Sequence, residues 1–156
     1  HWPKGIPRSR HGKLETQPGH LIDIMATCVD VAGANYPTEL NGKKIKPVEG
    51  VSLQPAFKGK PVNRQEPLFW EHEGNRAIRA GDWKLVTVKQ GEWELYNLAR
   101  DRGESENLAA KNPAKVRELA AKWTQHLEET MTLALSAPAK DVPAPAAKKG
   151  KRAQQD

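Results

Sequence analysis

The densest run of aromatic and β-branched residues lies between Pro67 and Leu98, and the rest of the chain is organised around it. Three of the five tryptophans (Trp70, Trp83, Trp93) and one of the two tyrosines (Tyr96) fall there. Such residues favour the pleated, half-buried surface of a sheet. Glycines at 74, 81 and 91 break the run where the chain needs to reverse. The pattern predicts strands at Leu68–Trp70, Arg76–Ala80, Trp83–Val88 and Glu92–Leu98. Ala80-Gly81-Asp82 is short enough for a tight hairpin, and Lys89-Gln90-Gly91 suits another. Arg79 and Lys84 alternate with core-facing neighbours and read as solvent-side charges. The result is a four-stranded antiparallel meander.

A helical period appears twice. Leu21, Met25, Cys28, Val29 and Ala32 recur along one stripe, widened by Ile22 and Ile24, with Gly33 at the natural stop. Thr16 and Pro18 suit its start, so a helix over about 19–32 is expected, with Cys28 as a buried thiol. Asn112-Pro113 is a cap followed by proline at the first helical position. Val116, Leu119, Ala120, Trp123, Leu127 and Met131 then form an apolar stripe opposite charged residues. A long helix over about 113–132 should lie across one face of the sheet, because neither layer hides its apolar side alone. His126 falls on its wet flank, and a short helix is expected over Glu104–Ala110. Residues 1–18 read as a surface loop. Residues 34–66 read as a long connection in which only Val51-Ser52-Leu53 suggests regular structure.

Composition changes this picture little. The chain has 156 residues, 37% of them hydrophobic, and a formal charge of +6. Lys148, Lys149, Lys151 and Arg152 carry much of that charge in a tail rich in Ala, Pro and Lys from Ser136 onward, read as disordered. The body is only mildly basic, which argues against a nucleic-acid partner. One cysteine excludes an internal disulfide and a cysteine-rich zinc site. No run of 18 apolar residues is long enough to span a membrane. His1-Trp2-Pro3-Lys4-Gly5-Ile6 looks like the end of an element already under way, so the chain is expected to be the later part of a longer protein.

Phosphate-loop, nucleophile-elbow and zinc-helix motifs are missing from the sequence. The one dense polar constellation is Glu71-His72-Glu73-Gly74-Asn75-Arg76. A histidine between carboxylates and near a guanidinium can bind an anion or move a proton. A solvated loop joining two strands fits the same residues.

Five motifs in order resemble the late part of type I (arylsulfatase-like) sulfatases: His1–Ile6, Pro18–Thr27 with Val29–Ala34, Glu49–Leu53, Phe69–Val86, and Glu94–Leu98 with Glu106–Leu108. Ala26 stands where a proline is common, and Arg102 stands where the turn often reads Asp-Pro. The resemblance implies an α+β fold: a small four-stranded antiparallel sheet on a long C-terminal helix, preceded by a helix and loop at the edge of a larger α/β, alkaline-phosphatase-like domain. It implies three parts: 1–60 as the end of the large domain, 61–135 as the small subdomain, and 136–156 as the tail. It also implies sulfate ester hydrolysis on an aryl or carbohydrate substrate by a formylglycine with a calcium ion, in a periplasmic or secreted bacterial enzyme. Cys28 is followed by Val-Asp-Val-Ala and lacks the Pro/Ala-x-Arg context of that nucleophile. Nucleophile and metal ligands are therefore expected upstream, in an N-terminal sulfatase domain that would be the chain's partner, and the chain alone is expected to be inactive. Loops of the small domain help wall the pocket, which makes His72, Asn75 and Arg76 the expected substrate-binding residues. A related phosphatase, phosphodiesterase or phosphonate hydrolase, and a basic binding module using the tail, are the alternatives.

Overall fold

The structure is a computed structural model and describes residues 2 and 4–136. After a 3-10 turn at Arg8–Arg10, its elements in chain order are α1 (Asp23–Val31), β1 (Glu39–Leu40), β2 (Lys43–Lys44), α2 (Gln54–Phe57), β3 (Leu68–His72), β4 (Asn75–Ala80), β5 (Trp83–Thr87), β6 (Glu94–Asn97) and α3 (Pro113–Ser136). The expected tail begins where α3 still runs, and its remainder, 137–156, lies outside the described residues.

The expected meander is present, as one antiparallel sheet in the order β3-β4-β5-β6. Phe69, Ile78, Leu85 and Leu95 form a single rung across all four strands. Ile78, Leu85 and Leu95 are fully buried, and Leu119 and Trp123 of α3 close over them. Burying each such side chain stabilises the fold by about 1.5–3 kcal/mol, so this rung is the centre of the core. The indole N–H of Trp123 also donates to the Trp70 carbonyl at 3.2 Å, fixing α3 against β3. Met131, predicted on the same stripe, is half exposed because it lies beyond the sheet's reach.

Turn geometry sets the register. Glu73 (φ 51°) and Gly74 (φ 81°) are both left-handed, as a type I′ two-residue loop requires. The loop is therefore only 73–74, and β3 and β4 take up the rest of the polar constellation. Gly81 (φ 58°) opens the second two-residue loop. The β5–β6 connection is longer, with Lys89 and Gln90 left-handed and the Thr87 hydroxyl donating to the Gly91 carbonyl at 2.8 Å.

No helix forms at 104–110. Instead, Asn107 Oδ1 accepts from the Leu95 amide at 3.1 Å, and the Leu108 amide donates to the Leu95 carbonyl at 2.7 Å. Both backbone groups of an edge-strand residue are thus satisfied by an extended clip, which a helix in its place could not do. The Asp101 carboxylate receives the amides of Ser105 (2.7 Å) and Glu106 (2.9 Å) and sets up that extended path.

The region before the sheet departs further from expectation. α1 begins at Asp23 rather than 19, because the Asp23 carboxylate takes the His20 amide at 2.7 Å and holds 20–22 in a turn. Its end is as expected. Gly33 (φ 60°) donates to Asp30 and Ala34 to Val29, each at 3.0 Å, a Schellman closure. The face of α1 that is bonded to the rest of the chain is its polar one, with Asp23 buried on it. Asp23 Oδ1 accepts from the Val51 amide (3.0 Å), Thr27 Oγ1 from the Leu53 amide (2.9 Å), and Asp30 Oδ2 from the Ser52 hydroxyl (2.5 Å). Spaced i, i+4 and i+7, these three side chains stitch 51–53 along one side of the helix. Consequently Leu21, Ile24, Met25 and Cys28 face outward, and Cys28 is an exposed thiol rather than the buried one expected. In the 34–66 connection, Asn41 (φ 53°) and Gly42 (φ 74°) make an unpredicted β1–β2 hairpin. α2 begins one residue after 51–53, its Gln54 amide held by the Ser52 hydroxyl at 3.2 Å.

Candidate functional site

The β3–β4 tip presents the three expected residues, but on different sides. Successive strand residues point to opposite faces. His72 pairs with Asn75 and Glu71 with Arg76, so His72 and Asn75 share the face away from α3, and Arg76 points toward it. The Arg76 guanidinium carbon stands 4.8 Å from the centroid of the Trp123 ring, a cation–π contact, and its Nε is buried without a partner among the described residues. Asn75 is engaged at both ends of its amide. Its Nδ2 donates to the His72 carbonyl at 3.0 Å and its Oδ1 accepts from the Lys89 amide at 3.0 Å. With the Gln90 amide on the Gly74 carbonyl (3.1 Å), these bonds clasp two loop tips together. Glu71 Oε1 accepts from the Gly74 amide at 3.1 Å.

His72 is the side chain of the trio left free. It is exposed, and its ring has no hydrogen-bond partner among the described residues. Two residues back on the same face is Trp70, 40% exposed, which meets the His20 ring edge-on with centroids 5.3 Å apart. The structure therefore brings together His20, Trp70, His72 and Asn75, and sends Arg76 elsewhere. The period-two alternation of β3 holds the signal for Trp70, whereas His20 is placed by the turn that Asp23 closes.

Behind this face, Asp23 anchors the connection into β3. It is fully buried and paired with Arg64, whose side chain is 12% exposed. Burial pushes the Asp23 carboxyl up, but the Arg64 hydrogen bond and the amides of Val51 and His20 outweigh it and hold the group below its ordinary value. On β6 the Tyr96 hydroxyl donates to Glu94 at 2.6 Å, and that bond, with burial, pushes its pKa up to about 12. Among the described residues no group of three His, Cys, Asp or Glu side chains could hold a metal ion.

A cleft of about 530 Å³ opens at the other end of the sheet, where 62–67, the β4–β5 turn and α3 meet. Arg79 and His126 line it, and neither His72 nor Asn75 does. His126 is exposed as expected, yet its ring stacks on Phe69 with centroids 3.8 Å apart and planes 8° from parallel.

A family model described as N-sulphoglucosamine sulphohydrolase, C-terminal, matches residues 1–132. An uncharacterized sulfatase of Schizosaccharomyces pombe (strain 972 / ATCC 24843) is 37% identical over 117 residues, covering 70% of this chain and 21% of the yeast protein. The crystal structure of Ps i-CgsB superposes with a TM-score of 0.62 at 28% identity, over 80% of this chain and 27% of that one. The same protein in complex with k-i-k-neocarrahexaose matches equally well. The chain thus spans about a fifth to a quarter of the length of these relatives. With 132 of its 156 residues covered, this chain belongs to the sulfatases, as a member of the family of N-sulphoglucosamine sulphohydrolase C-terminal regions.

Proposed function

We propose that the chain is the C-terminal portion of a sulfuric ester hydrolase, and that its β3–β4 tip forms part of the substrate-pocket wall with His72 as the contacting side chain. The observation that carries this reading is a free, exposed imidazole on a tip whose backbone is otherwise clasped by Asn75. A rigid mount with one uncommitted polar group is what substrate positioning needs. Asn75 acts through the backbone it holds, and Arg76 supports α3 from the opposite face. Sulfate ester cleavage needs a nucleophile, a cation and donors converging on one oxyanion. In this reading the calcium ion and the formylglycine belong to the larger α/β domain preceding residue 1, and residues 1–60 are the edge of that domain. The outward-facing apolar residues Leu21, Ile24 and Met25 of the α1 region support it, since exposed apolar patches mark interfaces. The complex of Ps i-CgsB with k-i-k-neocarrahexaose favours a carbohydrate sulfate over a small aryl sulfate.

The test has two arms. The purified chain should not hydrolyse 4-nitrophenyl sulfate with calcium present. In a longer sulfatase carrying this sequence, His72→Ala should raise KM or alter specificity while leaving the thermal midpoint unchanged. Turnover by the chain alone, or a loss of stability with unchanged kinetics, would overturn the assignment.

A further inference from the structure

The cleft at the far end of the sheet is a second candidate site, set apart from the β3–β4 tip. β3 runs from one to the other, and its four steps from Leu68 to His72 place them about 13 Å apart. At about 530 Å³ the cleft is within the size range of small-ligand pockets. Phe69 and His126, stacked on one another, form part of its lining. Phe69 belongs to the central rung, so the platform is fixed by the core, while the exposed imidazole has no hydrogen-bond partner among the described residues. A flat, anchored, half-apolar ring beside open polar groups suits the C–H face of a sugar ring.

The polar groups around it are of both kinds. Arg79 is pinned through Nε to the Gly81 carbonyl (3.1 Å), which leaves the outer guanidinium nitrogens as donors. Gln125 donates to Glu129 (2.9 Å), which leaves its amide oxygen as an acceptor, and Glu66 has no protein partner among the described residues. The charges nearly cancel. Arg64 is neutralised by Asp23, and Glu118 divides its charge between Lys115 (2.6 Å) and Lys122 (3.0 Å), so Arg79 and a partly compensated Lys122 stand against Glu66 and Glu129. An anion subsite needs a surplus of positive charge, and this cleft has none. Mixed donors and acceptors fit adjacent hydroxyl groups instead.

We propose that this cleft is a binding subsite for an uncharged sugar unit, engaged independently of the sulfate-bearing one. The test uses the whole 156-residue chain and needs no hydrolysis, so it stands or falls apart from the sulfatase reading. Neutral hexasaccharides (cellohexaose, maltohexaose and neoagarohexaose) are titrated while amide NMR shifts are followed. At least one should give saturable shifts centred on Gly81, Gln125 and His126, with a dissociation constant on the order of 1 mM. His126→Ala and Gln125→Ala should each weaken it about fivefold with the thermal midpoint unchanged. Three results would overturn the proposal: no saturable shift at the cleft up to about 20 mM, shifts confined to the β3–β4 tip, or binding of a heparin hexasaccharide at the cleft when no neutral sugar binds there.

Discussion

Asp23 and Arg64, 41 positions apart, form a buried ion pair that ties α1 to the segment leading into β3. The carboxylate also receives two backbone amides, so its charge is fully compensated. Removing it strands a guanidinium that is largely buried and whose Nε already lacks a partner among the described residues. Asp23→Ala should therefore destabilise the chain by about 3–5 kcal/mol, measured by chemical denaturation. The pH dependence has a definite sign. The folded value lies below the ordinary 3.8, so the stabilisation is complete above the unfolded value and is lost as pH falls through the folded one. Wild type should lose stability steeply below about pH 4, and Asp23→Asn should flatten that slope.

Gly50 and Gly33 are both left-handed, but only Gly50 lies against a neighbour. A Cβ there would meet the Ile22 carbonyl carbon and oxygen at 2.7 Å, whereas at Gly33 it would meet nothing within 4 Å. Gly33→Ala should cost about 1–2 kcal/mol, the conformational penalty alone. Gly50→Ala adds a backbone clash that has to push 50–53 off α1, so its cost should exceed that of Gly33→Ala by at least about 1 kcal/mol. Equal thermal shifts for the two variants would show that the stitched segment is loosely held.

The sheet and α3 were legible because their burial follows local periodicity: the Ile78–Leu85–Leu95 rung and the Leu119–Trp123 stripe are core, as their spacing predicts. The sulfatase resemblance was legible in ordered motifs, and the contacts give several of them a physical reason. Asn107-Leu108 clips the edge of β6, and Gly50-Val51-Ser52-Leu53 is the strip bound by Asp23, Thr27 and Asp30. The orientation of α1 was not legible. Amphipathicity identifies two faces but not which one this chain covers, and here side-chain hydrogen bonds win the polar face. The split of the candidate trio across the sheet followed from the length of the β3–β4 loop. Reading 71–75 as loop hid the alternation that separates His72 from Arg76. The Asn41-Gly42 hairpin carried a strong turn signal that the surrounding prolines and lysines obscured.

Glu73 occupies the first position of a type I′ loop at φ 51°, a conformation that favours Asn or Gly. Glu71 and Asn75 at the tip are hydrogen-bonded, and no hydrogen bond holds the Glu73 side chain among the described residues. Glu73→Asn should relieve that strain and stabilise the chain by about 0.5–1 kcal/mol. The β3–β4 amide shifts should stay in place while the thermal midpoint rises. A lower midpoint would mean that the glutamate makes a compensating contact at the tip.

Cys28 reports on the outer face of α1. Its thiol is exposed beside Ile24 and Met25, which are 57% and 55% exposed. In the folded chain of 156 residues it should react with a disulfide reagent such as DTNB as fast as in the unfolded chain, because no opening step precedes attack. The proposed larger domain would cover this face. In a longer sulfatase carrying the same sequence, modification should then slow by at least about a hundredfold, since labelling would wait on transient separation of the packed surfaces. Fast labelling in both would show that the apolar face of α1 stays open in the longer chain, and the assignment of residues 1–60 to the edge of a larger domain would fail with it.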